Sequence, residues 1–161
     1  MDVTIAYFAV HDCHYAAADI FHKYDYVIMN CGHHPAAASH YSFTKFEAQV
    51  RKLVQSAKDD QDVARINVNQ TKFFWLESTA QPLRADTFVH HFRDWRTYHR
   101  LYMFDIIAKS AIKEVGLTAR VIPAFASTLS LFDKMCDCAH YPTYPKMPQL
   151  LSLLDYMKSD Q

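Results

Sequence analysis

The order of apolar segments predicts an α/β domain with a mainly parallel sheet. Strand-like runs alternate with stripes at helical spacing, as in βαβ units. The run "YDYVIMN" is too continuous for a one-sided sheet and suits a strand covered on both faces. At 161 residues the chain suits one domain with a real core.

The elements follow in order. "VTIAYFAV" (Val3–Val10) reads as the first strand and "YDYVIMN" (Tyr24–Asn30) as the second. From Phe43, the positions Phe46, Val50, Leu53, Val54 and Ala57 keep helical spacing, with Thr44-x-x-Glu47 as a capping box. "KFFWLEST" (Lys72–Thr79) is the third strand. A long helix over Asp94–Val115 carries the stripe Leu101, Phe104, Ala108, Ala111 and Val115, with Asp94 as N-cap and Gly116 as the stop. "ARVIPAFA" (Ala119–Ala126) is the fourth strand, and Pro123 marks its end or an edge position. Met147, Leu150, Leu151, Leu154 and Met157 form a last amphipathic helix.

Composition removes several function classes. Seventeen basic residues balance seventeen acidic ones, so no electrostatic footprint favours nucleic acid or an anionic membrane. No apolar run approaches the ~18 residues of a membrane span. "MDVTIAYFAVHD" is too short, and too acidic at position 2, for a signal peptide. With only Gly32 and Gly116 in the chain, a glycine-rich phosphate loop is excluded. Ten histidines make charge, or a site, sensitive to mildly acidic pH. Four cysteines permit two disulfides without requiring them.

Sites in such sheets form in loops after the carboxyl ends of strands. Two loops stand out: "NCGHHPA" after the second strand and "MCDCAHYP" beyond the fourth. In the second, Asp137-x-x-His140 is a spacing at which a carboxylate curls back to an imidazole, fixing its tautomer and stabilising the imidazolium. The bland alternative has Asp137 capping a helical turn and His140 at the surface. A third option is zinc on Cys136, Cys138 and His140, with a fourth ligand from Cys13, His14 or the His33–His34 pair; the usual Cys-x-x-Cys knuckle is absent. A disulfide through Cys136 or Cys138 competes with it. No metal or cofactor is expected. In the first loop, Asn30 or backbone N–H groups near Gly32 and His33 are candidate donors to a developing oxyanion. Alternatively, Gly32 only permits a tight turn, with His33 and His34 solvated.

Together and in order, three stretches resemble the SGNH/GDSL hydrolase superfamily, and within it the PC-esterase and trichome-birefringence-like polysaccharide O-acetyltransferases and esterases. "YDYVIMNCGHHP" is similar to that group's strand ending in Asn-x-Gly-His. "KFFWLESTAQP" looks like its next, aromatic-rich strand, and "CDCAHYP" resembles its Asp-Cys-x-His motif. The likeness spans approximately residues 24–155. It implies a three-layer, flavodoxin-like fold, with His140 as general base and Asp137 as its orienter. It also implies that Asn30, Gly32 and His33 form the oxyanion and substrate pocket, that the substrate is a glycan or small acyl ester, and that the protein takes the secretory route.

The departures are specific. The family's nucleophile is a serine in Gly-Asp-Ser after its first strand, and these residues contain no such motif. Val3–Val10 looks like the family's second strand, so the sheet is expected to lack its first. "HHFRDWRTYHR" lacks the glycines and cysteine that plant members carry after Asp-Trp. Ser39, Ser78 and Ser127 are candidate replacements. Ser127 is nearest in sequence to Asp137 and His140, but nothing around it marks a strained nucleophile turn. The expectation is an acyl-ester hydrolase or O-acetyltransferase-like domain with little activity alone. The alternative is a non-catalytic carbohydrate- or partner-binding module, whose aromatic content (14%) would serve sugar stacking.

Overall fold

A computed structural model of the chain describes residues 13, 21, 23–38, 41–64, 71–80, 96–130, 151 and 155. Its centre is a parallel three-stranded sheet in the order β1-β2-β3, formed by Tyr26–Met29, Lys72–Leu76 and Ala119–Ile122. Val27 pairs with Phe73, and Phe73 with Ala119. Short α1 (His33–Ala37) and long α2 (Phe43–Ala64) lie between β1 and β2. Helix α3 (Tyr98–Val115) lies between β2 and β3, and short α4 (Phe125–Leu129) follows β3. Helices α2 and α3 pack against each other, as the right-handed crossovers usual for parallel strands in sequential order put both on one face of the sheet.

The predicted stripes are the core. Phe46, Val50, Leu53, Val54 and Ala57 of α2 are buried, as are Leu101, Phe104, Ala108 and Ala111 of α3, while Val115 is half-buried. They form one cluster with Met29, Phe73 and Trp75. Phe46 stacks on Phe104 at 4.1 Å between ring centroids, the tightest ring contact across the α2–α3 seam.

Arg100 ties the seam to the α1–α2 connection. Its guanidinium donates to the carbonyl oxygens of Ala36 (2.9 Å), Ala38 (3.0 Å) and Tyr41 (2.5 Å), and it lies over the Phe104 ring. Gln61 of α2 acts likewise at the entry to β3: its amide both donates to and accepts from the Thr118 backbone, at 3.0 and 2.9 Å.

Two helix starts differ from expectation. Ser42 caps α2, its hydroxyl accepting the Lys45 N–H at 3.1 Å. The Thr44–Glu47 box does not form there, and Glu47 pairs instead with Arg51 one turn on. Thr97 caps α3, accepting from the Arg100 N–H; Asp94, the expected cap, lies outside the described residues. The stop at Gly116 is as expected: φ is +74°, and the Leu117 N–H reaches back to the Ile112 carbonyl in a Schellman ending.

Coverage of the strands also differs. Phe73, Phe74 and Trp75 are all buried, so β2 is the strand covered on both faces. In β1, Ile28 is 47% exposed; it sits on the face away from the main cluster, with a neighbouring strand on one side only among the described residues. Strand β3 ends at Ile122, immediately before Pro123. The expected Val3–Val10 strand lies outside the described residues. Of the last helix, Leu151 and Asp155 are described as helical, and Leu151 is exposed rather than buried.

Candidate functional site

Parallel pairing brings the carboxyl ends of β1, β2 and β3 to one edge of the sheet, and the three turns that leave them start there. Asn30, Cys31 and Gly32 leave β1, residues 77–80 leave β2, and Pro123 and Ala124 leave β3.

Asn30 is exposed, and its side-chain Nδ2 donates to the Leu76 carbonyl at 2.7 Å, linking the ends of β1 and β2. That uses one of the two amide hydrogens. Gly32 is buried with φ of −78°, which any residue adopts. It is needed for space: a Cβ there would meet Ser78 Oγ at 2.2 Å. The expected tight-turn role is therefore replaced by close approach of two chain segments. His33 is half-buried, and its Nε2 is hydrogen-bonded to Thr79 Oγ1 at 2.9 Å. His34 beside it is exposed. Thus Asn30, Gly32 and His33, singled out from sequence, each contact β2 or the turn after it. Asp137 and His140 lie outside the described residues, as do Cys136, Cys138 and Ser39.

A disulfide joins Cys13 to Cys31, with Cα atoms 5.3 Å apart, and ties Cys13 to the Asn30–His33 loop. Both cysteines are buried. The pairing withdraws Cys13 from the zinc set considered with Cys136, Cys138 and His140. The disulfide weighed through Cys136 or Cys138 falls on residues outside the described ones.

The turn after β2 is held along its length. The Glu77 N–H donates to the Ile122 carbonyl at 3.1 Å, and the Ala80 N–H to Thr128 Oγ1 at 2.8 Å. Between them, the Ser78 N–H donates to both carboxylate oxygens of Asp105 at 3.1 Å. The Glu77 carboxylate binds Lys109 Nζ at 2.7 Å and accepts the N–H groups of Ala124 and Phe125, fixing the exit from β3. Ser78 itself is 1% exposed, and its hydroxyl has no hydrogen-bond partner among the described residues. Ser127 is half-buried in α4 and donates to the Ala124 carbonyl at 3.0 Å. Neither serine is presented as a nucleophile on an exposed turn.

Asp105 is the unanticipated member. Burial pushes its carboxyl from the ordinary 3.8 up to about 7, against the pull of the Ser78 N–H; Glu77 adds to the rise and Lys109 opposes it. The Trp75 indole favours the charged form slightly without reaching hydrogen-bond geometry. A signal was present in sequence: Asp105 interrupts the apolar stripe of α3, between Leu101 and Ala108 at helical spacing.

No protein-family model, curated protein or solved structure matches the chain.

Proposed function

We propose that the chain is an acyl-ester-handling domain of SGNH type, acting on acetyl or related esters of a glycan or other polyol. The supporting observation is the meeting of the Asn30–Gly32–His33 loop with Ser78 and Thr79 at adjacent carboxyl ends of parallel strands. This is where ligands bind in open α/β sheets. In the three-layer, flavodoxin-like arrangement of that superfamily, Asp137 and His140 complete the site.

In the complete reaction, a serine attacks the ester carbonyl while His140 takes its proton and Asp137 stabilises the imidazolium. Donors from the Asn30–His33 loop hold the tetrahedral oxyanion. When the intermediate collapses, the acyl group stays on serine, the alkoxide leaves with the proton from His140, and water or an acceptor hydroxyl then takes the acyl group. These 161 residues contain no Gly-Asp-Ser. A base and carboxylate without the nucleophile keep only the catalysis that donors and binding provide.

Acetate release from p-nitrophenyl acetate and from acetylated oligosaccharides tests this. The expected turnover of the chain alone is close to the buffer rate and unchanged by His140→Ala. Robust hydrolysis abolished by His140→Ala would overturn the missing-nucleophile reading.

A second reading, a carbohydrate-binding module without catalysis, is favoured by one observation. The Asn30 amide and the His33 ring are both engaged with neighbouring protein groups, as in a fixed polar surface. It requires glycan binding that weakens on changing His33 and His34 and is indifferent to Asp137→Asn.

A further inference from the structure

We propose that Asp105 is a positioning residue of the strand-end site: its carboxylate holds the Ser78–Thr79 turn where Thr79 meets His33, and its protonation state sets how firmly. The functional weight of this rests on the reading that His33 lines the pocket.

The linkage is short and continuous. Asp105, 1% exposed on α3, takes the Ser78 N–H on both oxygens, and the next residue carries the hydroxyl bonded to His33 Nε2. The Ser78 side chain makes no hydrogen bond among the described residues, and its backbone N–H is the group Asp105 holds. On either side, Glu77 and Ala80 are held by the Ile122 carbonyl and the Thr128 hydroxyl, groups that do not titrate. Loosening at Asp105 is therefore confined to Ser78 and Thr79.

The charged neighbours are Glu77, from the turn itself, and Lys109, one turn along α3; the Trp75 indole approaches from β2. Burial brings the carboxyl to titrate at about 7, where a small change in pH alters its charge. When ionised, it receives the Ser78 N–H in a charge-assisted bond. When protonated, it has less acceptor capacity and an O–H of its own to satisfy. The turn is thus gripped more tightly as pH rises through neutrality.

Nuclear magnetic resonance on the labelled chain, from about pH 5 to about pH 9, reads this directly. The Ser78 amide proton should move downfield with the same midpoint as the Asp105 carboxyl carbon, and the Thr79 methyl signal should follow with that midpoint. In Asp105→Asn the Ser78 shift should be flat; in His33→Gln it should persist, because its source is Asp105. A flat Ser78 signal in the unsubstituted chain, or a titration surviving Asp105→Asn, overturns the proposal. So does movement of Ser78 while the Thr79 methyl signal stays still. Should Asp105→Asn fail to fold, coincident or divergent midpoints in the unsubstituted chain decide. None of these signals depends on ester turnover or glycan binding, so failure here and failure of the functional reading are distinguishable.

Discussion

The Ser78 hydroxyl occupies the space that a side chain on Gly32 would need. The contact would be 2.2 Å to Oγ but an ordinary 3.5 Å to Ser78 Cβ, so an added Cβ requires the hydroxyl to move. Gly32→Ala is expected to destabilise the fold by about 1–3 kcal/mol through overpacking. Ser78→Ala removes a buried, unpartnered hydroxyl and should cost little. The double variant Gly32→Ala/Ser78→Ala should recover most of the loss in a urea-denaturation cycle. Strict additivity would show that the two residues are not in contact.

Asp105 gives stability a pH dependence of definite sign. Its folded value of about 7 lies above the ordinary 3.8. Its contribution is therefore fully present below the ordinary value and is lost as pH rises through the folded one. Between those values, the chain should lose stability relative to Asp105→Asn by up to about 1.4 kcal/mol per pH unit, levelling off above neutrality. Parallel stability curves for the two proteins would contradict the assignment. This global penalty for burying charge coexists with the tighter local bond to Ser78, because desolvation is the larger effect.

Arg100 reaches three carbonyl groups from one planar guanidinium. Lysine carries the charge but cannot present the same fork of donors. Arg100→Lys should cost about 1–3 kcal/mol from carbonyls left poorly satisfied, and hydrogen exchange should accelerate first around Ala38 and Tyr41. A loss spread evenly over the sheet would argue against a clamp on the α1–α2 connection.

The Cys13–Cys31 bond closes a loop with a sequence separation of 18. Replacing both cysteines by alanine should cost about 3 kcal/mol on the chain-entropy account. Peptide mapping without reduction should recover these two cysteines linked; recovery of Cys31 joined to Cys136 or Cys138 would contradict the pairing.

The α/β class, the alternation of β2, α3 and β3, and the buried stripes of α2 and α3 were legible because periodicity reports burial directly. Helix starts were less so. Thr44–Glu47 has a capping spacing, but Ser42 lies where its hydroxyl can meet the Lys45 N–H, and geometry rather than pattern decides. Asn30, Gly32 and His33 were legible as a strand-end loop. Their partners were not, since Leu76, Ser78 and Thr79 reach them only through a parallel register joining distant segments. Asp105 was visible as a carboxylate in an apolar stripe, but its partner lies 27 residues away in sequence.

The most direct test of an acyl-ester site at the strand ends is titration of the labelled chain with acetylated and deacetylated forms of one oligosaccharide. The expected result is saturable movement of the Asn30 side-chain amide, the Gly32 amide and the His33 and His140 ring signals together, with the acetylated form binding more tightly. Equal response to both forms, or movement elsewhere with these four groups unmoved, would contradict it.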